Sequence, residues 1–528
     1  MEFVNKFINQ IKKLTMVYTI KKALIVLSIM SAYFLQAQTP EKKTQLGFGQ
    51  VDFLSIKMPE NEKNMDFTGI HYNLMLNDWS YAGAGFYGAV GGTRGGFFTL
   101  GVNAGIKQNL TDNLFVDAGI HFGGGGGAGA PDGGGAFILP HVNLGYDFKN
   151  VAVTAGWSYI DFFDGGDINS NQFYASVQIP LSFDFSDFDD RESSFSMDGL
   201  TSSSWNQKSN RVSLLVHLNN LKAEGDSRFT DETPTSTNKL SGKTIRLAGF
   251  ELNSYLNKNW FYFVKADGAY HGIKAGYMDI FVGGGYHLSM NKKRTNILAK
   301  FGLGAGGGGG VDTKGGFLIY PDLSIEQKLF DNVYASINKG YLMTPDSHFL
   351  SSTLGFGLKY YVDKDGITSD ENEYSSVKFK GIEAIMKQDW YMDASRDGGF
   401  EQDMHQISLQ INFFLNKYIY GAGQTSFANF GDAGAYAEGI VGLGVQSNRF
   451  LNDKVAVFAQ LLGGAAGGGG ISTGQGLIVK PSAGLNYKIS DRLNLRGGLG
   501  YVKARGGSLS STFANLGLSY NFSFLSAK

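Results

Sequence analysis

Apolar and polar positions alternate along most of this chain, and the alternation returns in three corresponding stretches. In residues 69–76, Ile70, Tyr72, Leu74 and Leu76 fall on one face, and Gly69, His71, Asn73 and Met75 on the other. Successive side chains of a strand point to opposite sides, so this period predicts a strand with one greasy and one mixed face. Residues 249–256 repeat it, with Phe250, Leu252 and Leu256 on the greasy side and Glu251 and Asn253 opposite. Residues 408–415 do so again, with Leu409, Ile411, Phe413 and Leu415 against Gln410 and Asn412. Each of these strands runs into a similar turn: Asn77-Asp78-Trp79, Asn257-Lys258-Asn259-Trp260 and Asn416-Lys417-Tyr418. Asparagine and aspartate suit turns because they tolerate left-handed backbone or bond their own main chain.

A second signal recurs in step with the first. Glycine runs at 123–127, 306–310 and 467–470 each follow an apolar strand-like segment and precede a proline, Pro140, Pro321 or Pro481. Self-similarity at a long period reads as one module written three times. Turn signals divide each copy into about eight strands, each near the ~10 residues that cross a membrane when tilted. The expected fold is all-β: a transmembrane antiparallel β-barrel of about 24 strands from three tandem eight-strand repeats. The alternative is three separate eight-stranded barrels with packed interiors. The expected divisions are repeats at 45–185, 211–361 and 375–528, with a polar connector at 186–210 and an acidic one at 362–374.

The closing strands are alike: residues 174–183, 354–361 and 516–524 alternate and are rich in aromatic residues. The last resembles the terminal strand of bacterial outer-membrane β-barrel proteins, although the tail Leu525-Ser526-Ala527-Lys528 runs past the usual aromatic end. The resemblance implies an outer-membrane location, lipid as the surrounding medium and a polar interior. A water-soluble β-sandwich also alternates. Three features favour the membrane: aromatics near strand ends (Tyr72, Trp79, Trp260, Tyr520), opposite faces made mostly of Gly, Ala, Ser and Asn, and a neighbour for every strand, as lipid demands.

Composition narrows the picture further. Of 528 residues 74 are glycine, and charged residues make up only 18%, with a formal net charge of −1. No basic field invites nucleic acid. The chain has no cysteine, which removes disulfides, thiolate zinc sites, thiol catalysis and a lipidated cysteine anchor. Lys21 and Lys22, the apolar run 23–35 and Ala37 predict a signal peptide over residues 1–37, for which Met16 is the more ordinary start.

Candidate chemistry concentrates on the inward face. Asn73, Asn253 and Asn412 occupy one repeat position, His71, Glu251 and Gln410 the position two residues earlier, and Asp117, Lys300 and Gln460 a third. In one large ring these would line a lumen that filters polar solutes; otherwise they satisfy one another in a buried network. The glycine runs lack the Lys-Ser/Thr that a phosphate loop needs, and are expected to bend strands or to make room for bulky neighbours. Ser241-Gly242-Lys243-Thr244 lacks the leading glycine of that motif, and the acidic stretch 363–370 lacks EF-hand spacing. His271, His287 and His348 lie near strand ends, with Ser289 and Ser347 beside two of them. No catalytic residue, cofactor or metal is assigned. The expected function is a pore or transport protein for polar solutes. The alternatives are a non-conducting structural or assembly subunit of an envelope complex, docking through loops such as 222–243, and, less favoured, a barrel-type lipid hydrolase.

Overall fold

The structure is a computed structural model that describes residues 39–195, 197–230, 239–370 and 374–527; the expected signal peptide lies outside them. Barrel 1 comprises β1 (Lys43–Ile56), β2 (Met65–Met75), β3 (Ser80–Gly91), β4 (Phe98–Asn109), β5 (Leu114–Gly126), β6 (Phe137–Asp147), β7 (Ala152–Phe162) and β8 (Asn169–Phe185). A two-residue strand, β9 (Ser194–Phe195), lies in the connector that follows. Barrel 2 comprises β10 (Asn210–Glu224), β11 (Thr244–Tyr255), β12 (Trp260–His271), β13 (Met278–Met290), β14 (Thr295–Gly307), β15 (Phe317–Phe330), β16 (Val333–Met343) and β17 (Leu350–Lys364). Barrel 3 comprises β18 (Val377–Ser395), β19 (Glu401–Phe414), β20 (Ile419–Phe430), β21 (Ala437–Gln446), β22 (Val455–Gly467), β23 (Leu477–Lys488), β24 (Leu493–Ala504) and β25 (Ser510–Ala527).

Three rings close, not one. β1 pairs antiparallel with β8, from Lys43↔Phe185 to Leu54↔Tyr174. β10 pairs with β17 from Asn210↔Lys364 to Glu224↔Leu350, and β18 with β25 from Val377↔Ala527 to Tyr391↔Phe513. The expected single ring of about 24 strands is therefore corrected to three rings of eight. The physical reason is that the first and last strands of each copy are long and matched in length. Each copy thus satisfies its own edges, across a shorter loop than one great ring would need.

Alternation sorts the side chains as strands of a barrel require. Tyr72, Phe250, Leu252, Ile411 and Leu415 are exposed on the outer walls, while His71, Asn73, Glu251, Asn253, Gln410 and Asn412 are buried within. Such closed antiparallel walls, greasy outside and polar inside, have the architecture of an outer-membrane β-barrel protein. At the end carrying the short turns, Trp79, Trp260 and Tyr418 stand 54%, 55% and 46% exposed, the placement of an aromatic girdle. Their turns share one device. Asn77 Oδ1 accepts from the main-chain N–H of Trp79 (3.0 Å) and Ser80 (2.8 Å). Asn257 does the same for Asn259 and Trp260, and Asn416 for Tyr418 and Ile419.

The connectors weld the three barrels at this turn end. Ser186 and Ser523 exchange main-chain hydrogen bonds at 2.8 and 3.0 Å, and Asp363↔Ala527 and Lys364↔Ser526 join β17 to β25. Leu200, Trp205, Ile367, Val377, Phe379, Leu525 and Ala527 form a small core, and the Trp205 indole donates to the Pro40 carbonyl at 2.8 Å. Phe188 of the first connector packs edge-on against Phe414 at 5.3 Å, under barrel 3, with the Arg191 guanidinium 4.3 Å from the Phe188 ring.

The glycine runs lie at the opposite, loop end, where the barrels meet in a head-to-tail ring. A Cβ on Gly307 would lie 2.7 Å from the Gly95 carbonyl oxygen of barrel 1, and one on Gly467 would lie 2.5 Å from Ala275 Cβ of barrel 2. A Cβ on Gly124 would lie 2.5 Å from the Ala428 carbonyl oxygen of barrel 3. Each run thus packs on the preceding barrel, and the first packs on the third. Below this ring Phe98, Leu100, Ala305, Ile407 and Phe427, drawn from all three barrels, share a buried cluster. The runs were expected to bend strands or to make room for bulky neighbours. One glycine of each run, Gly124, Gly307 or Gly467, meets the neighbouring barrel, where only a bare backbone allows so close an approach, while others crowd their own barrel, as Gly123 does against Phe137 and Gly306 against Leu318.

Candidate functional site

Each barrel interior is a layered, filled space. Toward the loop end barrel 1 packs Phe67, Phe97, Phe137 and Phe162, with ring centroids 5.0 to 5.7 Å apart from Phe67 to Phe97, Phe97 to Phe162 and Phe162 to Phe137. Corresponding apolar clusters fill barrel 2 around Phe281, Leu318 and Leu342, and barrel 3 around Tyr391, Ile478 and Phe513. Larger side chains fit because small residues face them across the wall; Gly85, for instance, leaves its space to the His71 imidazole.

Beneath these apolar layers lie polar networks, and here the three copies diverge. In barrel 1, His71 Nε2 lies 2.8 Å from Asp52 Oδ2, and Asp52 also accepts from Tyr87 Oη (2.7 Å) and Gln50 Nε2 (2.8 Å). Asp117 accepts from Gln178 Nε2 (2.6 Å) and Tyr81 Oη (2.8 Å), with His141 Nε2 3.6 Å away. Asn73 Oδ1 accepts from Asn103 Nδ2 at 2.9 Å. A void for about one water molecule opens among Asp52, His71, His121, His141 and Tyr174.

Barrel 2 keeps one histidine pair, His217 Nε2 to Asp267 at 2.7 Å, and adds lysines. Lys300 Nζ reaches Glu251 (2.6 Å) and Asp322 (3.1 Å). Lys265 reaches Asp267 (2.5 Å) and Asp279 (3.2 Å), and Lys359 reaches Glu326 (2.8 Å). Asn253 is fully enclosed with neither amide atom bonded. Barrel 3 mixes both styles. Lys480 bridges Asp389 (2.8 Å) and Glu438 (3.1 Å). Gln410 Nε2 donates to Asn412 Oδ1 (2.7 Å) and Gln460 Oε1 (2.9 Å), and Asn412 Nδ2 donates to Glu383 (2.9 Å). Arg496 lies 3.4 Å from the centroid of Phe458.

The polar positions singled out in the sequence therefore lie in three separate interiors. The second and third positions meet directly as Lys300–Glu251 in barrel 2 and as Gln460–Gln410 in barrel 3. In barrel 1 they do not meet, because His71 turns to Asp52 and Asp117 to Gln178. Sequence reading missed the larger part of the networks: Asp52, Lys265, Asp267, Asp279, Asp322, Glu326, Lys359, Lys387, Asp389, Glu438, Lys480 and Arg496. The signal was present as polar pairs two residues apart within apolar strands, Gln50/Asp52, Lys265/Asp267 and Lys387/Asp389, which share one face by the strand period.

Two of the histidines near strand ends, His287 and His348, have local partners. Ser289 Oγ donates to Asn296 Oδ1 at 3.0 Å and lies 3.1 Å from His287 Nε2, while His287 Nδ1 lies 2.7 Å from Tyr255 Oη. His348 Nε2 meets Asp312 at 2.6 Å. The described residues hold no group of three side chains arranged for a metal ion.

No family model matches the sequence, and no curated protein matches it. Among solved structures, a mutant of the ferric enterobactin receptor PfeA from Pseudomonas aeruginosa overlaps 92% of this chain and 81% of its own, at 10% identity and a TM-score of 0.27. Pseudomonas aeruginosa OpdQ overlaps 91% of this chain and 98% of its own, at 6% identity and a TM-score of 0.21. These values are too low to transfer a ring size, a lumen or a ligand.

Proposed function

We propose that this chain is a non-enzymatic, non-conducting integral protein of a bacterial outer membrane, acting as a rigid structural or assembly platform. The short turns and both connectors face the periplasm and the longer loops face outward, the usual orientation of such barrels. The observation that carries this reading is the filling of every interior: an apolar layer toward the loops, then ion pairs and amides buried beneath. A path for polar solutes needs water along its length, and an eight-stranded ring is only wide enough for its own side chains. Outside the lumens, the welded connectors and the glycine ring fix the three barrels to one another, as a platform for partner proteins requires.

Single-channel recording in planar bilayers tests the reading. Folded protein reconstituted at high density should give no discrete conductance steps. Steps of reproducible size from heat-modifiable, folded protein would favour the transport reading instead.

A further inference from the structure

The loop after each glycine run is built on one backbone plan. In copy 1, Ala130 N–H bonds the Gly127 carbonyl (3.0 Å), Gly135 N–H the Asp132 carbonyl (2.9 Å) and Gly125 N–H the Gly135 carbonyl (3.2 Å). In copy 2 the same three bonds join Val311 to Gly308, Gly316 to Thr313 and Gly306 to Gly316; in copy 3 they join Ile471 to Gly468, Gly476 to Thr473 and Ala466 to Gly476. The plan aligns Asp132 with Thr313 and Thr473. All three side chains are buried, with Asp132 8% exposed. Two copies thus place a neutral hydroxyl in this loop, and Thr313 Oγ1 donates to the Gly306 carbonyl at 2.8 Å. The first copy places a carboxyl there.

That carboxyl sits where barrel 1 meets barrel 3. Asp132 Oδ2 accepts from Gly127 N–H at 2.7 Å. A Cβ on Gly434 of barrel 3 would come within 2.9 Å of Asp132 Oδ1. Beside it, Gly434 N–H donates to the Gly133 carbonyl (3.1 Å) and Gly431 N–H to Asp164 Oδ2 (3.3 Å), both across the seam. No ion pair joins Asp132 to a cation among the described residues. The nearby charged groups are otherwise engaged. Arg94, on the loop after β3, is paired with Glu62 on the loop after β1 and bonds the Ala128 and Gly129 carbonyls. Asp164, on the loop after β7, bonds Gly431. On barrel 3, Asp432 accepts from Gln402, and Arg396 donates to the Gly431 carbonyl.

We propose that Asp132 makes the seam between barrels 1 and 3 responsive to external pH, closed while the carboxyl is protonated and loosened when it ionises. Burial pushes this carboxyl up to about 7, against the lowering pull of the Gly127 N–H, its own main chain and Arg94. An opened, hydrated seam returns it toward 3.8. The closed seam therefore holds more protons than the open one between about pH 4 and 7. Closure is favoured below that window, weakens as pH rises through it and stays weak above it. The seam between barrels 1 and 2 has Thr313 at this position and should not respond.

Hydrogen-exchange mass spectrometry on the full chain in nanodiscs tests this, with rates corrected for intrinsic pH dependence. The peptide containing Gly434 should lose protection by tenfold or more between pH 5 and pH 8. The peptide containing Gly95, whose N–H bonds the Lys314 carbonyl across the other seam at 2.7 Å, should not change. Asp132→Thr should abolish the pH response, and Asp132→Asn, which keeps an acceptor for Gly127, should do the same if the threonine variant fails to fold. Constant protection at Gly434 in the parent chain, or a pH response that survives either substitution, would overturn the assignment.

Discussion

Barrels 1 and 2 share strand number, turn chemistry and closure, and each sets a histidine against a buried aspartate, His71 on Asp52 and His217 on Asp267, yet only barrel 2 adds lysines. Barrel 2 sets lysines 300, 265 and 359 against five carboxylates at 2.5 to 3.2 Å. Barrel 1 surrounds Asp52 and Asp117 with histidine, tyrosine and glutamine. The registers show how the exchange is made. His71 faces Gly85 in barrel 1 where Glu251 faces Lys265 in barrel 2, so a glycine and an imidazole take the space of a carboxylate and an ammonium. The fold thus constrains the volume of the interior and leaves the origin of its charge open. A lysine partner carries a fixed charge, whereas an imidazole carries one only when protonated.

Substitution can break this contrast. Lys300→Met should have the largest effect, because it strands Glu251 and Asp322 in the interior of barrel 2. Removing one member of a buried ion pair costs about 3–5 kcal/mol, and urea unfolding in detergent should show a matching fall in midpoint. Asp52→Asn in barrel 1 should cost less, about 1–3 kcal/mol, as expected for a disturbed buried hydrogen-bond set. An equal loss in the two variants would erase the proposed difference between the interiors. Asn77→Ala and Asn257→Ala should have the smallest effects, about 1 kcal/mol each for two weakened turn bonds. They should also match each other, because that turn is common to both barrels. A clear inequality measured by thermal shift would show that the barrels differ beyond their interiors.

Much of this molecule was legible in the sequence, for reasons tied to particular residues. The alternation at Ile70, Tyr72 and Leu74 against His71 and Asn73 assigns faces because the strand period is two. Asn77, Asn257 and Asn416 mark turns because one amide oxygen caps two following N–H groups. Ring closure was not legible in the same way. Whether β8 returns to β1 or passes on to β10 depends on the competition between distant edges, and both pairings satisfy the same alternation. Nor could the runs at 123–127, 306–310 and 467–470 reveal their neighbours, because glycine records that something lies close without recording what. The interior pairs were half visible. Glu251 and Lys300 stood out by repeat position, but Asp322, Lys265 and Lys359 become partners only once the ring brings β15, β12 and β17 around the same space.

The head-to-tail ring of seams gives the molecule an order of assembly. The first two seams join barrels that are neighbours along the chain. The third must bring the start of the polypeptide against its end, and the Asp164–Gly431 contact spans 267 residues. Loop-closure entropy makes that the costliest seam to form. That seam cannot form until the third barrel exists to receive it, and until then the outer wall of barrel 1 around Gly124 has no partner from barrel 3.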